Sequence, residues 1–108
     1  MAEISVENIK QYEQVFGRAK MQRLWLEFID DAKQKLADVE LRDQESQRLA
    51  FHSLRSSGLV FGMTDFSAFC QATEEDILKG KLIGQEQAAQ AQRLFCESAA
   101  EVEAYLGK

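Results

Sequence analysis

The chain has 108 residues and a formal charge of −5, with 45% apolar and 29% charged residues, a balance that fits one globular domain spanning residues 1–108 and excludes a disordered chain. The acidic balance argues against nucleic-acid binding through phosphate neutralisation, and no apolar run approaches the ~20 residues needed to cross a bilayer. The absence of proline, with only six glycines, favours long uninterrupted helices.

Taken in order, Ser5 is the expected N-cap of a short amphipathic helix marked by Val6, Ile9, Tyr12 or Glu13, and Phe16; Gly17 can end it in a left-handed cap. Its apolar residues are free to cover the end of a bundle or a partner. The second helix has the strongest pattern: Met21, Leu24, Trp25, Phe28, Ile29, Ala32, Leu36 and Val39 recur at steps of three and four, which is a core stripe. Asp30 and Asp31 are adjacent, and such neighbours do not converge on a helix, so they read as surface charge. A polar stretch from Glu40 to Gln44 leads to a third helix, expected from Asp43 to Phe61.

Gly62-Met63 forms the next break, and Thr64 caps a fourth helix with Phe66, Phe69, Cys70, Thr73 and Ile77 inward. The acidic run Glu74-Glu75-Asp76 is expected to be solvated. Gly80-Lys81-Leu82-Ile83-Gly84 makes the last turn and has no following G-K-[ST], so it is not a nucleotide loop. The final helix runs from about Gln85 to Leu106, with Ala88, Ala91, Phe95, Ala99, Val102 and Leu106 inward. Cys70 and Cys96 lack metal-ligand spacing and are expected to be reduced core residues, so no metal site is expected. Long helices joined by short loops predict an all-α fold: an up-down antiparallel four-helix bundle with an additional short N-terminal helix.

The third helix carries the chain's single histidine. At about 100° per residue, Gln47, Ala50, Phe51, Leu54, Gly58 and Phe61 share one direction, and His52 lies roughly 160° away. The imidazole therefore points to solvent. Arg48 and Arg55 fall one turn to either side, and Ser56 one turn on is small. A neutral imidazole is a nucleophile at physiological pH, and guanidinium neighbours would stabilise an anion attached to it. A phosphoryl group fits both conditions.

His52-Ser53-Leu54-Arg55-Ser56-Ser57-Gly58, followed by Gly62, resembles the signature of histidine-containing phosphotransfer (HPt) domains, H-x-L-K-G-S-[AS] with a glycine ten residues after the histidine. Arg55 stands where that family usually has lysine, and Ser56 where it usually has glycine. The resemblance implies a phosphorelay intermediate: His52 accepts a phosphoryl group from a receiver-domain aspartate and passes it to another receiver. Arg55 and Arg48 would neutralise phosphoryl oxygens, and Ser56 and Ser57 would offer small surface and hydroxyl donors. Leu49, Leu59 and Val60, on or beside the histidine face, are expected to dock the receiver.

The implied protein is a cytoplasmic, monomeric phosphoryl carrier and not an autonomous enzyme. It would take no cofactor, Mg²⁺ being required on the receiver alone, and its partners would be receiver domains and a hybrid sensor kinase. Two rival classes remain. The dimerising hairpin of sensor kinases also begins H-x-L-R but continues with Thr-Pro, whereas Ser56-Ser57 stand here. A non-catalytic helical adaptor would bind receivers without taking phosphate.

Overall fold

The structure is a computed structural model that describes residues 2–107, and among these no strand forms. Among the described residues five α-helices follow one another: α1 (Val6–Phe16), α2 (Arg18–Leu36), α3 (Gln44–Val60), α4 (Thr64–Leu78) and α5 (Gln85–Leu106), with a 3₁₀ turn at Val39–Leu41 between α2 and α3. The molecule measures 40 × 24 × 20 Å. No helix is long and apolar enough to cross a membrane among the described residues.

Local chemistry sets most boundaries. Ser5 Oγ accepts the Asn8 amide at 3.3 Å and Asp43 Oδ1 accepts the Ser46 amide at 2.8 Å, so each satisfies an orphan donor at a helix start. Gly17 has φ 84° and ψ 158°, which is not the left-handed cap expected but an extended mirror conformation open to glycine. It acts as a joint: its N–H closes α1 on the Glu13 carbonyl and its carbonyl opens α2 by accepting from Met21.

Two expected boundaries are corrected. The second helix stops at Leu36; Ala37 is extended, Asp38 is left-handed at φ 54°, and Val39 reaches the core from the 3₁₀ turn. Thr64 is not a cap. Met63 holds that position, and Thr64 Oγ1 donates instead to the Glu3 carbonyl at 3.1 Å. That bond belongs to a strap in which Glu3 N–H donates to Asp65 Oδ2 and Ser5 N–H to the Gly62 carbonyl at 2.6 Å.

The aromatic centre joins the helices. Phe61 stacks on Phe28 at 5.5 Å and meets Trp25 edge-on at 5.0 Å, while Phe95 meets Phe28 and Phe66 at 5.7 and 5.2 Å. Such pairs add about 0.5–1.5 kcal/mol each beyond area burial. Contacts run in opposite chain directions between α2 and α5, from Trp25–Glu103 to Gln92 with the Leu36 carbonyl. The same opposition holds between α3 and α4, from Gln44 with the Ile77 carbonyl to Ser67 with the Arg55 carbonyl. Gly58 makes α3 and α4 approach closely, because a Cβ there would stand 2.8 Å from Ser67 Oγ.

Arg18 closes the other end. Its Nη2 donates to the Tyr105 and Leu106 carbonyls at 2.8 and 3.0 Å, its Nη1 to Glu13 Oε2 at 3.0 Å, and its guanidinium lies over the Tyr105 ring. These carbonyls belong to the last turn of α5, which has no following helical turn to pair it, and Gln22 Nε2 also donates to the Leu106 carbonyl at 3.0 Å. Arg18→Ala is expected to lower unfolding free energy by about 1–2 kcal/mol through loss of charge-assisted bonds. Urea denaturation checks it, and an unchanged midpoint would contradict the capping role.

Candidate functional site

The site is built on the outer face of α3. The inward set of that helix, Gln47, Ala50, Phe51, Leu54 and Gly58, is buried, with Phe61 just beyond it. Burial of these residues turns His52 outward: its side chain is 50% exposed. The edge of α3 beside this face meets α4, and Glu74 comes from there. This carboxylate was expected to be solvated and is not, since only 12% of its side chain is exposed.

His52 Nδ1 stands 3.1 Å from Glu74 Oε2 and 3.3 Å from Oε1. An ionised carboxylate only accepts, so Nδ1 donates and the neutral ring carries its lone pair on Nε2. Nε2 makes no hydrogen bond among the described residues. A carboxylate behind one ring nitrogen thus fixes the tautomer and leaves the other nitrogen nucleophilic.

The guanidiniums are more engaged than the sequence led one to expect. Arg48 grips Glu45 with two bonds, Nε–Oε2 at 3.0 Å and Nη2–Oε1 at 2.6 Å, and its Nη1 is 3.8 Å from Glu74 Oε2. The Arg48 hydrogen bond holds the Glu45 carboxyl below its usual range, and the same bond raises the Arg48 value. Arg55 is less committed. Its Nε lies 3.9 Å from Glu74 Oε1 and is buried without a hydrogen-bond partner, so it retains capacity toward an anion. Two arginines and two glutamates beside a neutral ring sum to no net charge, and a dianion added at Nε2 would be offset first by Arg55, the cation with fewer existing bonds.

The other expected residues are placed as follows. Ser56 is exposed one turn from the ring, but its Oγ donates to the His52 carbonyl at 3.2 Å. Ser57 does not meet the ring; it lines a cleft between α2 and α3 with Leu24, Phe28, Asp31 and Val60. Leu49 and Leu59 are 51% and 41% exposed, whereas Val60 is half-buried against the core. Leu49 shares with His52 a second cleft bordered by Lys35, Arg42 and Ser53.

Cys70 is in the core, where burial pushes its thiol up to about 12. Cys96 is exposed, contrary to expectation. No group of three or more His, Cys, Asp or Glu converges as a metal site among the described residues.

Glu74 is the residue that reading the sequence missed, although a signal existed. At about 100° per residue it falls roughly 50° from the mean direction of the buried residues of α4, against roughly 110° for Asp76 and 150° for Glu75. As a run the three acids look alike, but their angular positions separate them. No family model, no curated protein and no solved structure matches this chain.

Proposed function

We propose that this protein is a histidine phosphotransfer protein of a two-component phosphorelay, with His52 as the residue that carries phosphate. The observation that carries the reading is the ring itself: half exposed, held at Nδ1 by Glu74, and open at Nε2. In the step proposed, the Nε2 lone pair attacks the phosphorus of a receiver's aspartyl phosphate. The P–O bond breaks, and its electron pair returns to the receiver carboxylate. Transfer to a second receiver runs the same step in reverse.

Such transfers have loose transition states, so position and charge neutralisation dominate. Arg55 meets the phosphoryl oxygens, Arg48 supports the charge from its pair with Glu45, and Ser56 leaves low relief beside the ring. Mg²⁺ belongs to the receiver, and the chain is a carrier, not an autonomous enzyme. The four longer helices are read as an up-down antiparallel four-helix bundle with α1 added; the opposed contacts of α2 with α5 and α3 with α4 support this. Leu49, Leu59 and Val60 are the proposed docking residues, Leu49 and Leu59 being large apolar side chains left in solvent near the ring. The proposed setting is a cytoplasmic monomer served by a hybrid sensor kinase.

A second reading has its own observation. Arg48 is already bound to Glu45, and Ser56 stands where the resemblance calls for glycine, so the chain could bind receivers as an adaptor without taking phosphate. Incubation with phosphorylated receiver domains, followed by intact-mass analysis under alkaline conditions, separates the two. The carrier gains one phosphate, and His52→Gln gains none. Binding without any gain would overturn the carrier reading in favour of the adaptor.

A further inference from the structure

We infer that Glu74 keeps the phosphorylated ring of His52 protonated at Nδ1, so that position 74 decides whether the phosphoryl group is passed on rapidly or held. This rests on the carrier reading and extends it to the reactivity of the phosphorylated state.

The argument begins with electron count. Attack by Nε2 spends that nitrogen's lone pair and leaves the proton on Nδ1, so the immediate product is a phosphoimidazolium cation. To become neutral, the ring must release the Nδ1 proton. The lone pair thus created would point at Glu74 Oε2, 3.1 Å away and only 12% exposed as a side chain, setting an acceptor against an acceptor with little water to relieve it. Keeping the proton keeps the hydrogen bond.

The surrounding charges do not cancel this. Arg48 and Arg55, on the same helix, favour the neutral ring, but they stand 3.8 and 3.9 Å from Glu74's own oxygens and Arg48 is bound to Glu45. Across the cleft on the α2 side, Lys35 is paired with Asp31, and Arg42 donates to the Gln34 and Ala37 carbonyls. Among the described residues, Glu74 alone bonds the ring directly.

Protonation matters because it sets the leaving group. When the P–Nε2 bond of the cation breaks, the electron pair returns to Nε2 and neutral imidazole departs. The neutral phosphoimidazole would have to expel an imidazolate anion, a far poorer leaving group. Glu74 acts through His52 and is in this sense a positioning residue. A glutamine at 74 could instead donate its amide N–H to the Nδ1 lone pair and stabilise the held form.

The test loads His52 with potassium phosphoramidate, which needs no receiver: Nε2 attacks phosphorus and ammonia leaves. Phosphorus NMR and intact mass then follow the phosphohistidine from about pH 5 to about pH 9, bracketing the ordinary imidazole range, in the native chain, in Glu74→Gln, and in the native sequence unfolded in urea. The expected result is a titration midpoint higher in the native chain than in either comparison. Near pH 8, phosphate loss should be about tenfold faster than in Glu74→Gln, as suits an opposite charge in direct contact. Coincident titration and decay curves for all three samples overturn the inference alone. Loading without transfer to any receiver overturns the carrier reading and with it the part of position 74 in transfer, while the titration still decides whether Glu74 holds the Nδ1 proton. Failure of His52 to load removes both. The urea sample keeps the comparison decisive if Glu74→Gln does not fold.

Discussion

Gly62→Ala is expected to lower the unfolding free energy by about 3 kcal/mol or more, because two separate costs fall on one atom. Gly62 has φ 66°, and a side chain in that left-handed region costs about 1–2 kcal/mol. The added Cβ would also run into the Ser5 carbonyl, standing 3.0 Å from its carbon and 3.2 Å from Ile9 Cγ1. Neither side can yield easily. The Gly62 carbonyl accepts from Ser5 N–H, its N–H donates to Leu59, and Ile9 is fully buried. In urea the midpoint should fall with the slope kept, and limited proteolysis should open the chain first ahead of Gly17. A midpoint equal to the native protein's would refute this account of the glycine.

The second large effect is expected at Gln47, an amide with no exposed surface on the inner face of α3. Its Nε2 donates to the Val39 carbonyl at 3.1 Å and the Ile83 carbonyl at 3.3 Å, and its Oε1 accepts the Ile83 N–H at 3.0 Å. One side chain thus ties the 3₁₀ turn and the α4–α5 loop to α3. Gln47→Leu keeps the volume nearly constant and removes the polarity, leaving Ile83 N–H buried and unpaired. A buried donor without its partner costs about 1–3 kcal/mol, and two carbonyls lose a partner as well, so a loss of about 2–4 kcal/mol is expected. Thermal or urea unfolding measures it. Hydrogen exchange at the Ile83 amide should rise more than exchange at the centre of α5; uniform change across both would argue against a local tie.

These two positions show how far the sequence could be read. Gly62 stands out there as a glycine ten residues after the histidine, yet its partner is Ser5, 57 positions earlier, and no periodicity reports a contact between an extended strap and a turn. Gln47 falls on the apolar face by angle, but its three partners are backbone groups of distant loops, to which side-chain patterns are blind. Where a helix faces one core, the pattern nearly suffices: the inward set of α3 is that of the structure, the set of α5 lacks only the fully buried Ser98, whose hydroxyl hides it from an apolar pattern, and the bounds of α5 match residue for residue. It fails where the backbone departs from the helix, as at Ala37 and Asp38, because Val39 keeps the core period from a 3₁₀ turn.

At the site, His52, Arg48 and Arg55 were legible from spacing along one helix, and so was the outward course of the ring. Glu74 was not, because its role depends on how near α4 comes to α3, and that distance is set by Gly58 against Ser67. Ser57 was misplaced for the opposite reason. Adjacency to Ser56 in the motif suggested a shared face, whereas about 100° separates neighbours on a helix.

The two fastenings of the N-terminal region differ in how far along the chain they reach. The α3–α4 pair turns at Phe61-Gly62-Met63 and needs only a short loop to close, so it can assemble early. Arg18, by contrast, grips the carbonyl of Leu106, 88 residues away, and that closure must await nearly the whole chain. The expected order of assembly is therefore the histidine hairpin first and the clasp between Arg18 and the last turn of α5 at the end, so that shaving Arg18 should speed unfolding more than it slows refolding.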